Sequence, residues 1–231
     1  VDQDGSITQK EELTPEEAKK IVFATACGEG LAVETADGTV YYYDDDIQLD
    51  VLQKIEITDE EVITTKGIRE AGYNYFINNQ GKVYTWGYNG YGQLGNGTNE
   101  NSKVPICISD IKENVLNGKN IIDIKSDGDT VIALDSEGKV YTWGNNYHGQ
   151  LGNGTGGEAG DYSDNPTCIS DIKENALNGK NIKKIQSNNG TMRVLDSEGK
   201  VYTWGYNRYG QLGNGTNEDR NFPICISDIE E

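Results

Sequence analysis

One stretch of this sequence returns three times almost unchanged, and that repetition limits what the chain can fold into more than any other feature. Gly-Lys-Val-Tyr-Thr-Trp-Gly stands at residues 81–87, 138–144 and 199–205. Each copy runs on into Gly-Gln-Leu-Gly-Asn-Gly-Thr, at 92–98, 149–155 and 210–216. Each then reaches a proline (Pro105, Pro166, Pro223) and Cys-Ile-Ser-Asp-Ile, at 107–111, 168–172 and 225–229. Two copies also carry Leu-Asn-Gly-Lys-Asn-Ile, at 116–121 and 177–182. The spacing lengthens from 57 to 61 residues because of an insertion around 156–164. A degraded fourth copy lies upstream, where residues 31–43 follow the pattern of 132–143. There Tyr42 and Tyr43 stand near the Thr-Trp slots, and Asp44, Asp45 and Asp46 replace the glycine-rich loop.

Within a unit the signals are for strands. Lys-Val-Tyr-Thr-Trp alternates and is rich in β-formers. The apolar run 130–134 precedes it across Asp-Ser-Glu-Gly, a hairpin signal. Asn-Ile-Ile-Asp-Ile, ending at Ile124, supplies another strand. Pro-Ile-Cys-Ile-Ser supplies a fourth, and its leading proline suits a sheet edge. Four short strands recurring every 50–60 residues predict an all-β stack of meander blades. The string Lys-Val-Tyr-Thr-Trp-Gly-x-Asn-x-x-Gly-Gln-Leu-Gly-x-Gly-Thr, followed by Pro and Ile-x-x-Ile, resembles the RCC1 (regulator of chromosome condensation) repeat over about residues 21–231. The resemblance implies β-propeller blades. Members of that family are typically seven-bladed, whereas about four units are present here.

The expected organisation is an acidic segment at 1–20 and a repeat domain at 21–231, with units near 21–80, 81–137, 138–198 and 199–231. Residues 20–38 align without a gap to 181–199. The N-terminal strands at 21–37 are therefore candidates to complete the last blade, giving a closed small ring or a ring swapped between two chains. An open, partial propeller is the alternative. The chain starts at Val1 rather than Met, as expected of a processed or excised segment, with any leader or anchor upstream. Thr14-Pro15-Glu16-Glu17 has the form of a helix start. Asp2, Asp4, Gly5, Ile7 and Glu11 fall at positions three, five, six, eight and twelve of an EF-hand-type loop, so Asp2, Asp4 and Glu11 are candidate calcium ligands. Position one would precede Val1 and the partner helix is missing, so a solvated acidic tail is the simpler reading. Calcium at this segment is the one cofactor considered.

Charge narrows the function. Lys plus Arg number 20 against 38 Asp plus Glu, for a net charge of -18. A nucleic-acid binder wants a basic face, so DNA and RNA are excluded as partners, and anionic membrane surfaces with them. No run approaches the roughly 18 apolar residues of a membrane helix. The 29 glycines, 14 tyrosines and repeated apolar runs are those of a folded chain rather than an acidic disordered one. Of four cysteines, Cys107, Cys168 and Cys225 are repeat copies, read as small buried hydrophobes, with disulfide or metal roles as alternatives. Without a Cys-x-x-Cys pair a zinc site is weakly supported. The three tryptophans occupy equal slots, as core or inter-blade residues do.

No enzyme constellation is present. The sole histidine, His148, fills the slot held by Tyr91 and Tyr209 in the sister copies. The glycine-rich loop recurs three times without a lysine and reads as a turn rather than a phosphate cradle. Asn-Gly-Thr at 96, 153, 189 and 214 is a glycosylation acceptor in a eukaryotic secretory setting, and otherwise plain turn chemistry. Relatives that sense ultraviolet light use a Gly-Trp-Arg-His-Thr context, which this sequence lacks.

Recognition remains. Residues after each Trp-Gly vary while the scaffold does not: Tyr88, Gly90, Tyr91; then Asn145, Tyr147, His148; then Tyr206, Arg208, Tyr209. Aromatic and arginine side chains in loops on a rigid scaffold favour interfaces. Tyr88, Tyr91, Tyr147, His148, Tyr206, Arg208 and Tyr209 are the candidate partner-binding residues, and the insertion 156–164 is expected to rim the same surface. The expected function is a non-catalytic protein-recognition module, secreted or on a bacterial cell surface. Its partner is an unidentified protein, and self-association through open blade ends is a further expectation. The alternative is a structural subunit of a surface assembly, pilin-like, with a hydrophobic helix upstream.

Overall fold

The computed structural model describes residues 74–228 and, before them, the strands at 21–27, 30–35, 40–43, 53–54 and 68–72. The chain divides into two compact units, Val1–Gln80 and Gly81–Glu231. The candidate calcium ligands Asp2, Asp4 and Glu11, and the helix start at Thr14, lie outside the described residues.

In the first unit β1 (Ile21–Cys27), β2 (Gly30–Thr35), β3 (Val40–Tyr43) and β4 (Gln53–Lys54) form an antiparallel sheet in that order. The alignment of 20–38 with 181–199 thus has a local basis. Both stretches supply the first two strands of a sheet of their own, and β2 continues into β3, pairing Ala32 with Tyr42 and Val33 with Tyr41. β5 (Ile68–Gly72) and β6 (Tyr75–Asn78) pair antiparallel through a turn at Asn74, whose φ is 60°.

The second unit begins with β7 (Val83–Gly87) paired to β8 (Ser102–Cys107). Two complete meanders follow: β9 (Ile121–Ser126), β10 (Thr130–Asp135), β11 (Val140–Asn145) and β12 (Tyr162–Cys168), then β13 (Ile182–Asn188), β14 (Thr191–Asp196), β15 (Val201–Gly205) and β16 (Arg220–Cys225). These are the expected four strands in the expected order, with one shift. The outer strand begins upstream of its proline and ends at the cysteine, and Ile108–Asp110 and Ile169–Asp171 leave it as single 3-10 turns. The proline is tolerated because the register slips between Thr142 and Gly144, so that β11 pairs Thr142 with Thr167 and Gly144 with Ser163, bypassing Pro166.

Val140, Tyr141, Thr142 and Trp143 are all buried, although their side chains alternate between faces. The reason is stacking, because each face of the strand meets a different repeat. Trp143 points back, its Nε1 donating to the Gln93 carbonyl at 2.8 Å. Trp204 does the same to the Gln150 carbonyl at 2.9 Å. Val140 points forward into one cluster with Ile169, Ile182, Ile185, Met192 and Trp204. The backbone adds its own link, Ile121 and Ile182 donating to the carbonyls of Gly81 and Gly138 at 3.1 and 3.0 Å. Gly152 has φ +65°, and a Cβ there would stand 2.6 Å from the Trp204 Nε1, so glycine is what lets the indole seat. Trp143 and Trp204 are inter-blade residues, one of the two roles their equal slots implied.

Candidate functional site

The site is built on the loops that leave β7, β11 and β15. Each carries one buried asparagine: Asn89, Asn146 and Asn207. Its Oδ1 accepts the amide of the loop leucine (Leu94, Leu151, Leu212) at 2.9, 3.0 and 2.9 Å. Its Nδ2 closes the far side, reaching the Thr98 and Glu100 carbonyls from Asn89, the Thr155 hydroxyl from Asn146, and the Thr216 and Glu218 carbonyls from Asn207. The strand threonines lock the same leucines, as Thr142 Oγ1 donates to the Leu151 carbonyl. Finally Gln93, Gln150 and Gln211 accept, through Oε1, the amides of Tyr91, His148 and Tyr209 at 3.0, 2.7 and 2.8 Å. The variable residues therefore sit on a backbone held on one side by buried Asn hydrogen bonds and on the other by Gln side chains nearer the surface. Sequence reading treated these Asn and Gln as motif letters, yet their invariance across copies was the available signal.

On that backbone Tyr88, Tyr91, Tyr147, Arg208 and Tyr209 are exposed, Tyr209 at 81%, while His148 and Tyr206 are half-buried. Four of them form a continuous row across two repeats. Tyr147 meets His148 edge-on at 4.6 Å between centroids. His148 lies on Tyr206 at 4.5 Å, and Tyr206 meets Tyr209 at 6.2 Å. Tyr88 and Tyr91 form a separate edge-on pair at 6.4 Å. Arg208 is brought into none of these ring contacts. His148 Nδ1 also hydrogen-bonds Asp219 Oδ2 at 2.7 Å, and the other oxygen of that carboxylate accepts the Asn207 amide. The residue that looked like a slot variant thus ties two loops together.

Beside the row opens a cleft of about 500 Å³, with Tyr91, Tyr147, His148 and Tyr206 in its wall. The insertion reaches it through Ala159, Gly160 and Asp161, as its position suggested. Two carboxylates that sequence reading missed, Asp127 and Asp129 in the β9–β10 turn, complete the lining. Asp127 is engaged, its Oδ2 accepting Gly190 N at 2.6 Å and Ser187 Oγ at 3.2 Å from the next repeat, and its Oδ1 accepting Thr130 N. Asp129 takes only a long contact from Gln93 Nε2, 3.4 Å. Partial burial, and then the charge of Asp127, hold its carboxyl above the ordinary range.

The repeated cysteines carry no site chemistry. They are half-buried rather than buried, because each ends an outer strand, and all three are free thiols. Burial and then hydrogen bonding to Asp110 push Cys107 up to about 12, and the same causes, with Asp171, push Cys168 up to about 11. Neither is a nucleophile or a ready metal ligand near neutral pH. Among the described residues no group of three or more His, Cys, Asp or Glu is placed to hold a metal ion, and no helix is long and apolar enough to cross a membrane.

Stacked four-stranded meanders tied by an indole and a strand-end amide define a protein of the β-propeller blade class. A family model described as the regulator of chromosome condensation (RCC1) repeat matches residues 80–134, 137–187 and 198–231. The chain belongs to the RCC1 repeat family. It is similar to the human E3 ubiquitin-protein ligase HERC2, at 28% identity over 68% of this chain and 3% of that protein. It is also similar to the ultraviolet-B receptor UVR8 of Arabidopsis thaliana, at 32% identity over 63% of this chain and 30% of the receptor. Among solved structures, that of Kap60 bound to yeast RCC1 (Prp20) superposes with a TM-score of 0.65 at 19% identity, over 95% of this chain and 51% of the matched one. The chain thus spans at most 30% of these two curated relatives and about half of that solved chain.

Proposed function

We propose that this chain is a non-catalytic protein-recognition module whose contact surface is the loop edge carrying Tyr88, Tyr91, Tyr147, His148, Tyr206, Arg208 and Tyr209. The observation that carries the reading is the aromatic row itself: rings from adjacent repeats in contact, partly exposed, on loops fixed by buried Asn hydrogen bonds and by Gln side chains. A preordered surface loses little conformational entropy on binding, and tyrosine supplies contact area with few rotatable bonds. The yeast RCC1 (Prp20) structure supports the reading by analogy, since it is a complex with a protein, Kap60. The test replaces Tyr88, Tyr91, Tyr206 and Tyr209 together by Ser. A partner captured by the wild-type chain, then purified and titrated calorimetrically, is expected to lose at least about a hundredfold in affinity, because truncating two strong contact residues already removes that much. The circular dichroism spectrum and melting curve stay as they were. Binding within about threefold of wild type overturns the proposal, and loss of the fold shows these tyrosines to be packing residues.

A further inference from the structure

Three departures from the otherwise near-identical repeats lie far apart in sequence and converge in one place. The turn Ser126-Asp127-Gly128-Asp129 carries two acids where the next repeat has the neutral Asn188-Asn189-Gly190. His148 replaces a tyrosine, and the loop 156–165 is four residues longer than the matching loops 99–104 and 217–222. All three line the same cleft. Drift in exposed loops would scatter such changes, whereas these build one cavity.

Its chemistry is one-sided. Asp127, Asp129 and Asp161 contribute carboxylates, the aromatic wall contributes π-faces, and no Lys or Arg is among the lining residues. The Asp127 carboxylate is committed to Thr130, Ser187 and Gly190, which fixes its charge in place. The Asp129 carboxylate is exposed toward the cleft and close enough to Asp127 to feel its charge. Two like charges held together at a partly dehydrated wall call for a cation. A metal ion is disfavoured, since no group of ligands among the described residues has the spacing for one. An aromatic wall beside carboxylates suits an organic cation instead, held by cation–π attraction along its faces and by ionic hydrogen bonds at its edge. Guanidinium fits better than ammonium, because it is planar, weakly hydrated and stacks on rings while its N–H groups reach sideways to carboxylates.

The geometry points to this cleft as a receptor for an arginine side chain presented by the protein partner, with Tyr147, His148 and Tyr206 flanking the guanidinium and Asp129 and Asp161 accepting its hydrogen bonds. The inference rests on the recognition reading above and names the chemistry of its partner. The chain's net charge of -18 acts in the same direction, drawing a basic surface in from a distance.

The test needs no partner. Nα-acetyl-arginine amide is titrated into the full chain and followed by two-dimensional amide NMR, with Nα-acetyl-citrulline amide as the neutral isostere. Saturable shifts in the millimolar range are expected at the amides of residues 127–130, 145–150 and 159–161, with none from citrulline. Asp129→Asn is expected to weaken binding at least about tenfold and Tyr147→Leu several-fold, while Glu174→Gln, exposed elsewhere, changes nothing. Asp129→Asn preserves shape and removes a charge repelled by Asp127, so it folds at least as well as wild type. Equal binding of citrulline, or shifts unaffected by Asp129→Asn, overturns the proposal. So does the absence of saturable shifts at these amides. If the arginine amide fails while the tyrosine replacements still abolish partner binding, the cleft falls and the recognition surface stands. If the arginine amide binds and those replacements leave partner binding intact, the surface falls and the cleft remains a cation site.

Discussion

Replacing Asn207 by Ala removes one side chain on which the whole loop 207–219 depends, and its consequence can be worked out atom by atom. Asn207 is fully buried. Its Oδ1 accepts Leu212 N at 2.9 Å, and its Nδ2 donates to the carbonyls of Thr216 at 2.8 Å and Glu218 at 2.9 Å. Three well-formed hydrogen bonds contribute about 1 kcal/mol each, so a loss of about 3 kcal/mol is expected. The Leu212 amide, buried beneath the loop, is left without its acceptor, which keeps the loss from being smaller. For a chain of this size that lowers the melting temperature by about 6–12 °C. Urea denaturation followed by tryptophan fluorescence reads it directly, because Trp86, Trp143 and Trp204 are all buried. The midpoint should fall with little change in slope. Asn217→Ala, in the same loop but exposed, should stay within about 0.5 kcal/mol of wild type. A loss below about 1 kcal/mol for Asn207→Ala would refute the argument that this asparagine organises the loop. The mechanism of the aromatic row would go with it, since Tyr206 and Tyr209 are placed by the same backbone.

Two further outcomes follow from packing and burial. Gly152→Ala combines a left-handed backbone with a Cβ pressed on the Trp204 indole, so it should cost more than about 2 kcal/mol and shift tryptophan emission to the red, whereas Gly179→Ala, also at positive φ but with open space, should cost only about 1 kcal/mol. Cys107 and Cys168 should resist iodoacetamide at pH 8 in the folded chain, reacting roughly a hundredfold or more slower than in urea; since their folded pKa values are raised to about 12 and about 11, stability is full below the unfolded value near 9 and falls as pH rises toward 11, and rapid native alkylation at pH 8 would contradict this.

Much of the fold was legible because the repeats stated it several times over. Lys-Val-Tyr-Thr-Trp could be placed on a strand, and Gly-Asn-Gly-Thr in a turn, from local chemistry alone. The outer strand was misplaced by a few residues because proline was taken as its start. Register slippage at Gly144, a property of two paired strands, is what allows the proline inside. The alternation of the inner strand was legible too, but that both of its faces are buried was not, since burial depends on the neighbouring repeats. Tyr147, His148 and Tyr206 could be chosen as variable slots on a common loop. Their contact with one another, and with Asp219, joins residues up to 71 apart in the chain.

Sequence by itself determined the blade: its four strands, its turns, its repeated Asn and Gln letters, and the acidic net charge. Those properties are local or additive, so each can be read from a window or a sum. Only the tertiary structure decided the cleft. An acidic turn, a tyrosine-to-histidine change and an inserted loop are unremarkable separately. They become one cavity because the indole and backbone hydrogen bonds between repeats fix the stagger at which successive loops meet.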